Sequence, residues 1–334
     1  MKVTLEYIAR MANVSKATVS RVMNNCPDGV GASTRKKVLA LLAEYDYENP
    51  HPTRTLIKSR SKVIGLIIPD ITNSFFSELV KAVDDYASSR GYVLLLCNTN
   101  SSAIKENICI SVLAAEKVDG VILVSTVGEQ INGCEQLKRY NIPCVLLDRK
   151  TKTTNYSASI YIDNEYAMFT AADYLIKRGH HDISLFLGQS YLSASVERLE
   201  GYKSALQQHN IPYDKDLVIW GDFTYTSGFN SALYLKQSGR KFSAILAASD
   251  TIALGALKAL SHLQLKVPDD VSVIGFDNIP ISEMVEPPLT TLEQPIKELG
   301  SKAAQTMIEA IETGTVRCPN IRLEAKLIIR SSTT

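Results

Sequence analysis

Short polar, basic and β-branched residues recur at helical spacing in NVSKATVSRVMNN, the stretch over 13–25. Ser15 is a candidate side-chain cap for a helix N-terminus, and Val19 and Val22 follow it on one helix face. Just before it, VTLEYIARMA places Thr4 as the cap of a first amphipathic helix. Two short helices joined by about three residues form a helix-turn-helix, whose second helix fits the DNA major groove. The stretch therefore predicts contacts with DNA.

Basic charge is concentrated in this part of the chain. Residues 1–62 contain 11 Lys and Arg against 5 Asp and Glu, whereas the remainder contains 25 against 30. A basic head on a mildly acidic body predicts a polyanion that only the head contacts. A third helix fits STRKKVLALLAEY with Ser33 as its cap, so we predict a three-helix head over 1–47. A proline-containing basic linker follows over 48–61.

Beyond the linker, apolar β-rich runs alternate with amphipathic helical stretches. This alternation is typical of parallel sheets covered by helices on both faces. We predict an α/β fold in which a helix-turn-helix head precedes a two-lobed core of doubly wound parallel sheets. A ligand cleft is expected where the carboxyl ends of the strands face each other. The apolar runs are 63–68, 92–97, 120–124, 144–148, 182–188, 217–222, 243–249 and 271–277.

Motifs of several other chemistries are missing from the sequence. It contains no G-x-S-x-G elbow, Walker loop, G-x-G-x-x-G or H-E-x-x-H. Its six cysteines form no C-x-x-C or Cys/His cluster, and several lie in apolar runs, as reduced core residues do. Neither a signal peptide nor a membrane-spanning stretch is visible. We expect a cytoplasmic protein that is not an enzyme and that needs no cofactor or metal.

The order and spacing of a series of stretches is more specific than any one of them. They are TLEYIARMANVSKATVSRVMNN, STRKKVLALLAEYDY, SKVIGLIIPDITNSFFSEL, VDGVIL, VLLDR, ERLEGYKSAL, DTIALGALKAL, VPDDVSVIGFDN and PPLTTLEQP. Together they resemble the LacI/GalR family of bacterial transcription regulators over essentially the whole chain. The resemblance implies a homodimer whose heads bind a pseudo-palindromic operator. It also implies that a small effector between the lobes controls operator affinity, which makes a transcriptional repressor the main hypothesis.

The resemblance assigns roles to residues of the head. In the family the recognition helix begins at the capping serine, so Lys16, Ala17 and Arg21 are expected to face base edges. Lys and Arg can donate to guanine O6 and N7, and Ala can contact a thymine methyl. Short polar side chains suited to phosphate contacts are Ser15, Thr18, Ser20 and Asn24. In the linker, Leu56 occupies the position of a leucine that wedges into the minor groove, and Thr53 that of a small residue where two hinge helices approach.

The resemblance to sugar-responsive members assigns a second site to the cleft. Aromatic rings would stack on the apolar faces of a sugar ring, and charged and amide groups would pair with its hydroxyls, which donate and accept. A neutral monosaccharide is the expected effector. One departure is Ser249, where the family usually has Asn. The expected effector-binding residues are Asn73, Phe75, Phe76, Asp148, Arg149, Arg198, Phe223, Ser249, Asp277 and Gln294.

The resemblance also suggests boundaries and leaves rivals open. The core is expected over 62–334, with one lobe formed by 62–160 and 292–325 and the other by 161–291. The chain ends soon after LEAKLIIRSS without a heptad tail, which favours a dimer over a tetramer. Three alternatives remain at this point: control by a phosphocarrier protein corepressor, a purine effector, or a sugar-binding component of a transport system.

Overall fold

The computed structural model describes residues 4–23, 29–45, 60–125, 132–149, 157–315 and 320–334. The chain separates into two compact units, Met1–Arg60 and Ser61–Thr334. Each unit contains its own apolar core. Within the described residues, no helix combines the length and the apolar character that crossing a membrane requires.

The helices and strands follow one another along the chain with mostly short connections. A 3₁₀ turn, Lys215–Leu217, precedes β7. The elements are α1 (Leu5–Ala12), α2 (Lys16–Met23), α3 (Ala32–Glu44), β1 (Val63–Ile68), α4 (Ser74–Ser89), β2 (Val93–Asn98), α5 (Ala103–Ala115), β3 (Gly120–Leu123), α6 (Asn132–Arg139), β4 (Cys144–Leu147), β5 (Ser157–Ile162), α7 (Asn164–Lys177), β6 (Ile183–Leu187), α8 (Ser193–Gln208), β7 (Val218–Trp220), α9 (Tyr225–Gln237), β8 (Ala244–Ala247), α10 (Asp250–His262), β9 (Ser272–Asp277), α11 (Ile281–Met284), β10 (Thr290–Glu293), α12 (Ile296–Thr313), β11 (Asn320–Leu323) and β12 (Lys326–Ile328).

The head is a helix-turn-helix with a third helix packed against it. The Thr4 hydroxyl accepts the Tyr7 N–H at the start of α1, and the Ser15 hydroxyl accepts the Thr18 N–H at the start of α2. The predicted Ser33 cap is wrong, because α3 begins at Ala32, so Ser33 lies inside the helix and Gly31 precedes it in the extended conformation. The buried core of this unit is Ile8, Ala9, Ala12, Val19, Val22 and Val38.

The larger unit contains two six-stranded sheets. The first has the order β11-β5-β4-β3-β1-β2 and is parallel throughout. The second has the order β12-β10-β9-β8-β6-β7, in which only the β10–β12 pair among those described is antiparallel. The chain passes from one sheet to the other after β5, β10 and β11, and α12 returns to pack on α4 in the first lobe.

Each predicted apolar run contains a strand, but four strands escaped the sequence analysis. These are β5, β10, β11 and β12, whose sequences SASIYI, TTLE, NIRL and KLI are short or interrupted by polar residues. Tertiary pairing fixes them where local hydrophobicity does not. The doubly wound topology matters for function because residues that line a cleft in such a fold follow the carboxyl ends of the strands.

Candidate functional site

A cavity of about 320 Å³ lies where the carboxyl ends of the two parallel sheets meet. The ten residues that sequence analysis assigned to an effector are all in its lining: Asn73, Phe75, Phe76, Asp148, Arg149, Arg198, Phe223, Ser249, Asp277 and Gln294. The lining residues that sequence analysis missed are Pro69, Asp70, Asn100, Ser101, Gln189, Tyr191, Leu192, Ala194, Asp222 and Thr224.

Aromatic rings line the cavity from both lobes. Phe75 and Phe76, in the first turn of α4, meet edge to face with ring centroids 5.1 Å apart. The Asn73 side chain fixes this turn, because its oxygen accepts the Phe75 N–H at 3.0 Å. From the other lobe, the Phe223 ring occupies the space beside Gly188, where a Cβ would lie 2.1 Å from Phe223 Cε2. The absence of a side chain at Gly188 therefore positions Phe223.

Asp148 and Arg149 form a buried ion pair directly after β4. Arg149 Nη1 lies 2.6 Å from Asp148 Oδ2, and Arg149 Nε donates to the Ser125 carbonyl at 3.2 Å. Both side chains are only 8% exposed, so the pair is poorly screened by solvent. Asp148 has φ 56°, in the left-handed region that aspartate adopts more readily than most residues. The arginine is thereby held by the protein, and one carboxylate oxygen of Asp148 remains to face a ligand.

Arg198 is the buried cation of the second lobe. It lies inside α8, which begins at Ser193. Its Nε donates to Asn164 Oδ1 at 3.1 Å and its Nη1 to the Ala248 carbonyl at 2.6 Å. Its guanidinium lies 3.8 Å from the centroid of the Phe276 ring. Burial lowers its pKa, and the charges of Asp277 and Asp148 oppose that effect.

Asp277 ends β9 and pairs with the crossover residue Gln294. Gln294 Nε2 donates to Asp277 Oδ1 at 2.5 Å, and the two backbones are also hydrogen-bonded. Burial, and then the charge of Asp250, raises the pKa of Asp277 well above its usual range, while Arg198 opposes the shift. This carboxyl is thus held between a cation and an amide donor, and burial favours its protonated form.

Three buried acceptor atoms in the lining find no hydrogen-bond partner among the described residues. They are Asp148 Oδ1, Gln189 Oε1 and Gln294 Oε1, which come from the ends of β4, β6 and β10. An unsatisfied buried acceptor costs about 1–3 kcal/mol, so such atoms call for a donor. The cavity therefore presents acceptors from both lobes to whatever occupies it.

Ser249 and Asp250 at the start of α10 have structural partners. The Ser249 hydroxyl accepts the Ile252 N–H at 3.2 Å and so caps the helix. Asp250 accepts the Thr291 hydroxyl at 2.5 Å and the Ile279 N–H at 2.9 Å. This carboxylate ties α10 to the strands beside Asp277.

We expect Asp250 to make the core less stable as the pH rises from 4 to 7. Burial raises its pKa to about 6, above the ordinary value of about 3.9 that applies in the unfolded chain. The folded state therefore binds the extra proton in this window, and that stabilisation is lost as the pH passes 6. The free energy of unfolding in guanidinium should fall across the window by about 2 kcal/mol more for the wild type than for Asp250→Asn. Parallel pH profiles would contradict this assignment.

The head places most of the predicted DNA-binding residues on one helix. Ser15, Lys16, Ala17 and Arg21 are exposed, and Thr18 and Ser20 are half-buried. The Ser15 and Thr18 hydroxyls are 2.9 Å apart, and Lys16 Nζ lies 2.8 Å from Glu6 Oε1. The remaining predictions, Asn24, Thr53 and Leu56, lie outside the described residues.

An exposed apolar face lies on the first lobe, at the edge of its sheet. β2 lies within the apolar run over 92–97, yet Val93 and Leu95 are exposed at this edge. Ile104, Ile108 and Val112 form an exposed stripe along the adjoining α5. We call these five residues the apolar face. Cys97 and Cys109, expected in the core, are only partly buried beside it, whereas Cys134 and Cys144 are buried.

The lining residues that were missed carried a usable signal. Asp70, Gln189 and Asp222 each come within three residues of the end of a predicted apolar run. Since ligands bind beyond the carboxyl ends of parallel strands, this position alone marks them. Among the described residues, no group of three or more His, Cys, Asp or Glu side chains is arranged to hold a metal ion.

Comparison with known proteins finds relatives for both units. The family "Bacterial regulatory proteins, lacI family" matches residues 4–49, and "Periplasmic binding protein-like domain" matches 172–333. Catabolite control protein A of Priestia megaterium is 35% identical over 335 residues, covering 100% of both chains. The HTH-type transcriptional repressor PurR of Vibrio campbellii is 33% identical over 332 residues, covering 98% of both chains.

Solved structures extend the likeness to the whole architecture. The lac repressor dimer bound to operator matches with a TM-score of 0.83 and 28% identity, covering 100% of this chain and 99% of that chain. The transcriptional regulator CelR in complex with cellobiose matches with a TM-score of 0.76 and 31% identity, covering 99% and 100%. With a head, two lobes and full-length relatives in agreement, the chain belongs to the LacI family of bacterial transcriptional regulators.

Proposed function

We propose that this regulator is a repressor that binds a pseudo-palindromic operator as a homodimer and responds to a neutral sugar in the cleft. The observation that carries the effector class is the set of unpartnered acceptors, Asp148 Oδ1, Gln189 Oε1 and Gln294 Oε1. A sugar offers hydroxyl donors on several sides of a ring whose faces are apolar. Rings of Phe75, Phe76 and Phe223 supply the complementary walls.

The state of the two arginines argues against a phosphorylated effector. Arg149 is engaged by Asp148 and a carbonyl, and Arg198 by Asn164 and a carbonyl. A phosphate needs donors, whereas the cavity offers buried acceptors and the further carboxylates Asp70 and Asp222. The solved structure of CelR, which this chain resembles, is a complex with cellobiose, and this likeness supports a neutral carbohydrate as the effector.

The apolar face supports the homodimer, with a second copy of the chain as its occupant. Five large apolar side chains exposed on one strand and one helix exceed what a monomer usually leaves in water. The lac repressor that this chain resembles is a dimer on its operator. Two heads joined in this way would read two half-sites, as helix-turn-helix dimers do.

Thermal unfolding against a ligand panel tests the effector class. The panel contains ribose, xylose, glucose, galactose, cellobiose, ribose 5-phosphate, glucose 6-phosphate, hypoxanthine and guanine. A neutral sugar at about 100 times its dissociation constant should add about 2.7 kcal/mol of stability. The sugar phosphates should add nothing. If only a purine stabilises the protein, a purine effector is favoured, as the similarity to PurR suggests. If no compound stabilises it and it binds a phosphocarrier protein, a protein corepressor is favoured. Either result overturns the sugar assignment.

Gly188→Ala should weaken binding of that sugar by at least about tenfold, because the new methyl group displaces the Phe223 ring from the cavity wall. Overpacking should also cost about 1–3 kcal/mol of stability. Trp220, the chain's single tryptophan, ends β7 near Asp222 and provides a fluorescence readout for the titration. Gly31→Ala is the control, since nothing lies within 4 Å of its added Cβ. Wild-type affinity in Gly188→Ala would show that the Phe223 ring does not contact the ligand.

A further inference from the structure

The recognition helix begins with a residue that is already paired. Lys16, the first residue of α2, places its Nζ 2.8 Å from Oε1 of Glu6 in the first turn of α1. The two side chains remain 56% and 74% exposed, so the pair stands at the surface of the head. Exposed ion pairs contribute about 0–1 kcal/mol to stability. The contact therefore contributes little to the stability of the fold, which points to a role of the two side chains in binding.

Glu6 pairs with a cation on the neighbouring helix and not with the cation on its own helix. Arg10 lies four residues further along α1, the spacing at which a glutamate and a cation ordinarily pair on one helix. Its guanidinium instead lies 5.6 Å from the centroid of the Tyr7 ring, and Tyr7 in turn packs edge to face with Tyr45. Glu6 reaches across to α2, which brings an acceptor and a donor side by side at the start of the recognition helix.

We propose that Glu6 and Lys16 act as one unit that reads a G·C base pair in each half-site, an inference that rests on the proposed binding of operator DNA by α2. In the major groove, guanine presents the acceptors N7 and O6, and cytosine presents the N4 amino donor. Lys16 donates to guanine O6 or N7, and Glu6 accepts from cytosine N4. The spacing fits, since O6 and N4 of one base pair are themselves joined by a hydrogen bond of about 2.9 Å.

The same unit discriminates against A·T. There the only donor, adenine N6, is flanked by the acceptors N7 and thymine O4. Lys16 can donate to one of these two acceptors, but the carboxylate that accepts from N6 then lies beside the other, which is repulsive, whereas cytosine N4 has an acceptor on one side only. Glu6 also repels phosphate, so it keeps Lys16 from serving as a sequence-independent phosphate contact. Glu6 is thus a specificity-determining residue that no contact by Lys16 alone would replace.

Selection from a random duplex DNA library tests the proposal with the full-length protein. Wild type, Glu6→Gln, Lys16→Gln and the double variant are compared, with Glu44→Gln as the matched control because it removes the same charge from an exposed position on α3. Glu6→Gln should weaken the preference for G·C at one position of each half-site by about tenfold and shift it toward A·T, because an amide pairs with adenine N6 and N7. Binding to random DNA should strengthen and depend more steeply on salt, by about one counterion per half-site.

The double variant separates a joint reader from two independent residues. If the two act as a unit, adding Glu6→Gln to Lys16→Gln should change base preference by less than twofold. The proposal is overturned if Glu6→Gln selects the wild-type motif with wild-type strength, as Glu44→Gln should. Failure of the wild type to select any motif would instead remove the proposed function, and that result is visible before any variant is made. Circular dichroism of each variant establishes that the head is folded.

Discussion

Replacing Arg198 by methionine is expected to destabilise the core by about 3 kcal/mol and to remove the effector response. Methionine keeps the aliphatic volume beside Phe276 but loses the hydrogen bonds to Asn164 and the Ala248 carbonyl. It also leaves the buried Asp277 carboxyl without its neighbouring cation, so the pKa of Asp277 should rise further. Guanidinium unfolding measures the stability loss, and the sugar panel measures the response, which should weaken at least about a hundredfold.

Arg178→Met provides the matched control for this prediction. Arg178 also stacks on an aromatic ring, with its guanidinium 3.8 Å from the centroid of Tyr174, but its side chain is exposed. Its loss should change stability by less than about 0.5 kcal/mol and leave the sugar response intact. Equal effects of the two substitutions would show that the buried charge of Arg198 contributes no more to stability or to the sugar response than an exposed charge does. An unchanged sugar response in Arg198→Met would place the ligand away from this side of the cavity.

The sequence was most informative where function and hydrophobic pattern coincide. The apolar runs predicted two doubly wound lobes, and the motif resemblance assigned ten residues that the fold collects around one cavity. Those assignments depended on aromatic and charged side chains at the ends of strands. Ligands bind beyond the carboxyl ends of the strands in parallel sheets, so residues at these positions are candidates for binding. The contacts within the site did not follow from it. Nothing in the order of residues indicates that Gln294 binds Asp277.

The errors have a common physical origin in tertiary context. β2 reads as a buried strand from its composition, and only its place at the edge of the sheet exposes Val93 and Leu95. β10 and β12 are recognisable only through their partners in the second sheet. The ion pair of Glu6 with Lys16 joins two helices, so no helical period predicts it. Local pattern therefore predicted the elements and the caps at Thr4 and Ser15, whereas sheet edges and side-chain pairs between elements required the assembled fold.

The apolar face yields the other large prediction: Ile108→Glu should convert the proposed homodimer into a monomer and weaken operator binding at least about a hundredfold. Ile108 is 55% exposed at the centre of the α5 stripe, so a charge there costs the isolated chain little. In a dimer the same carboxylate would be desolvated against its copy in the partner subunit, which costs several kcal/mol. A monomer contacts one half-site and loses the gain from linking two heads.

Sedimentation and titration of the selected operator measure these two effects on one sample. Tyr234→Glu is the control, because Tyr234 on α9 is 61% exposed and lies outside the apolar face. It should remain dimeric and keep wild-type operator affinity. Ile108→Glu should retain the wild-type unfolding midpoint at low concentration and its sugar response, since the cleft is built within a single chain. If the Ile108→Glu variant remains a dimer, the dimer interface lies outside the apolar face. A monomer with full operator affinity would instead show that one head suffices and that dimerisation does not set occupancy of the operator.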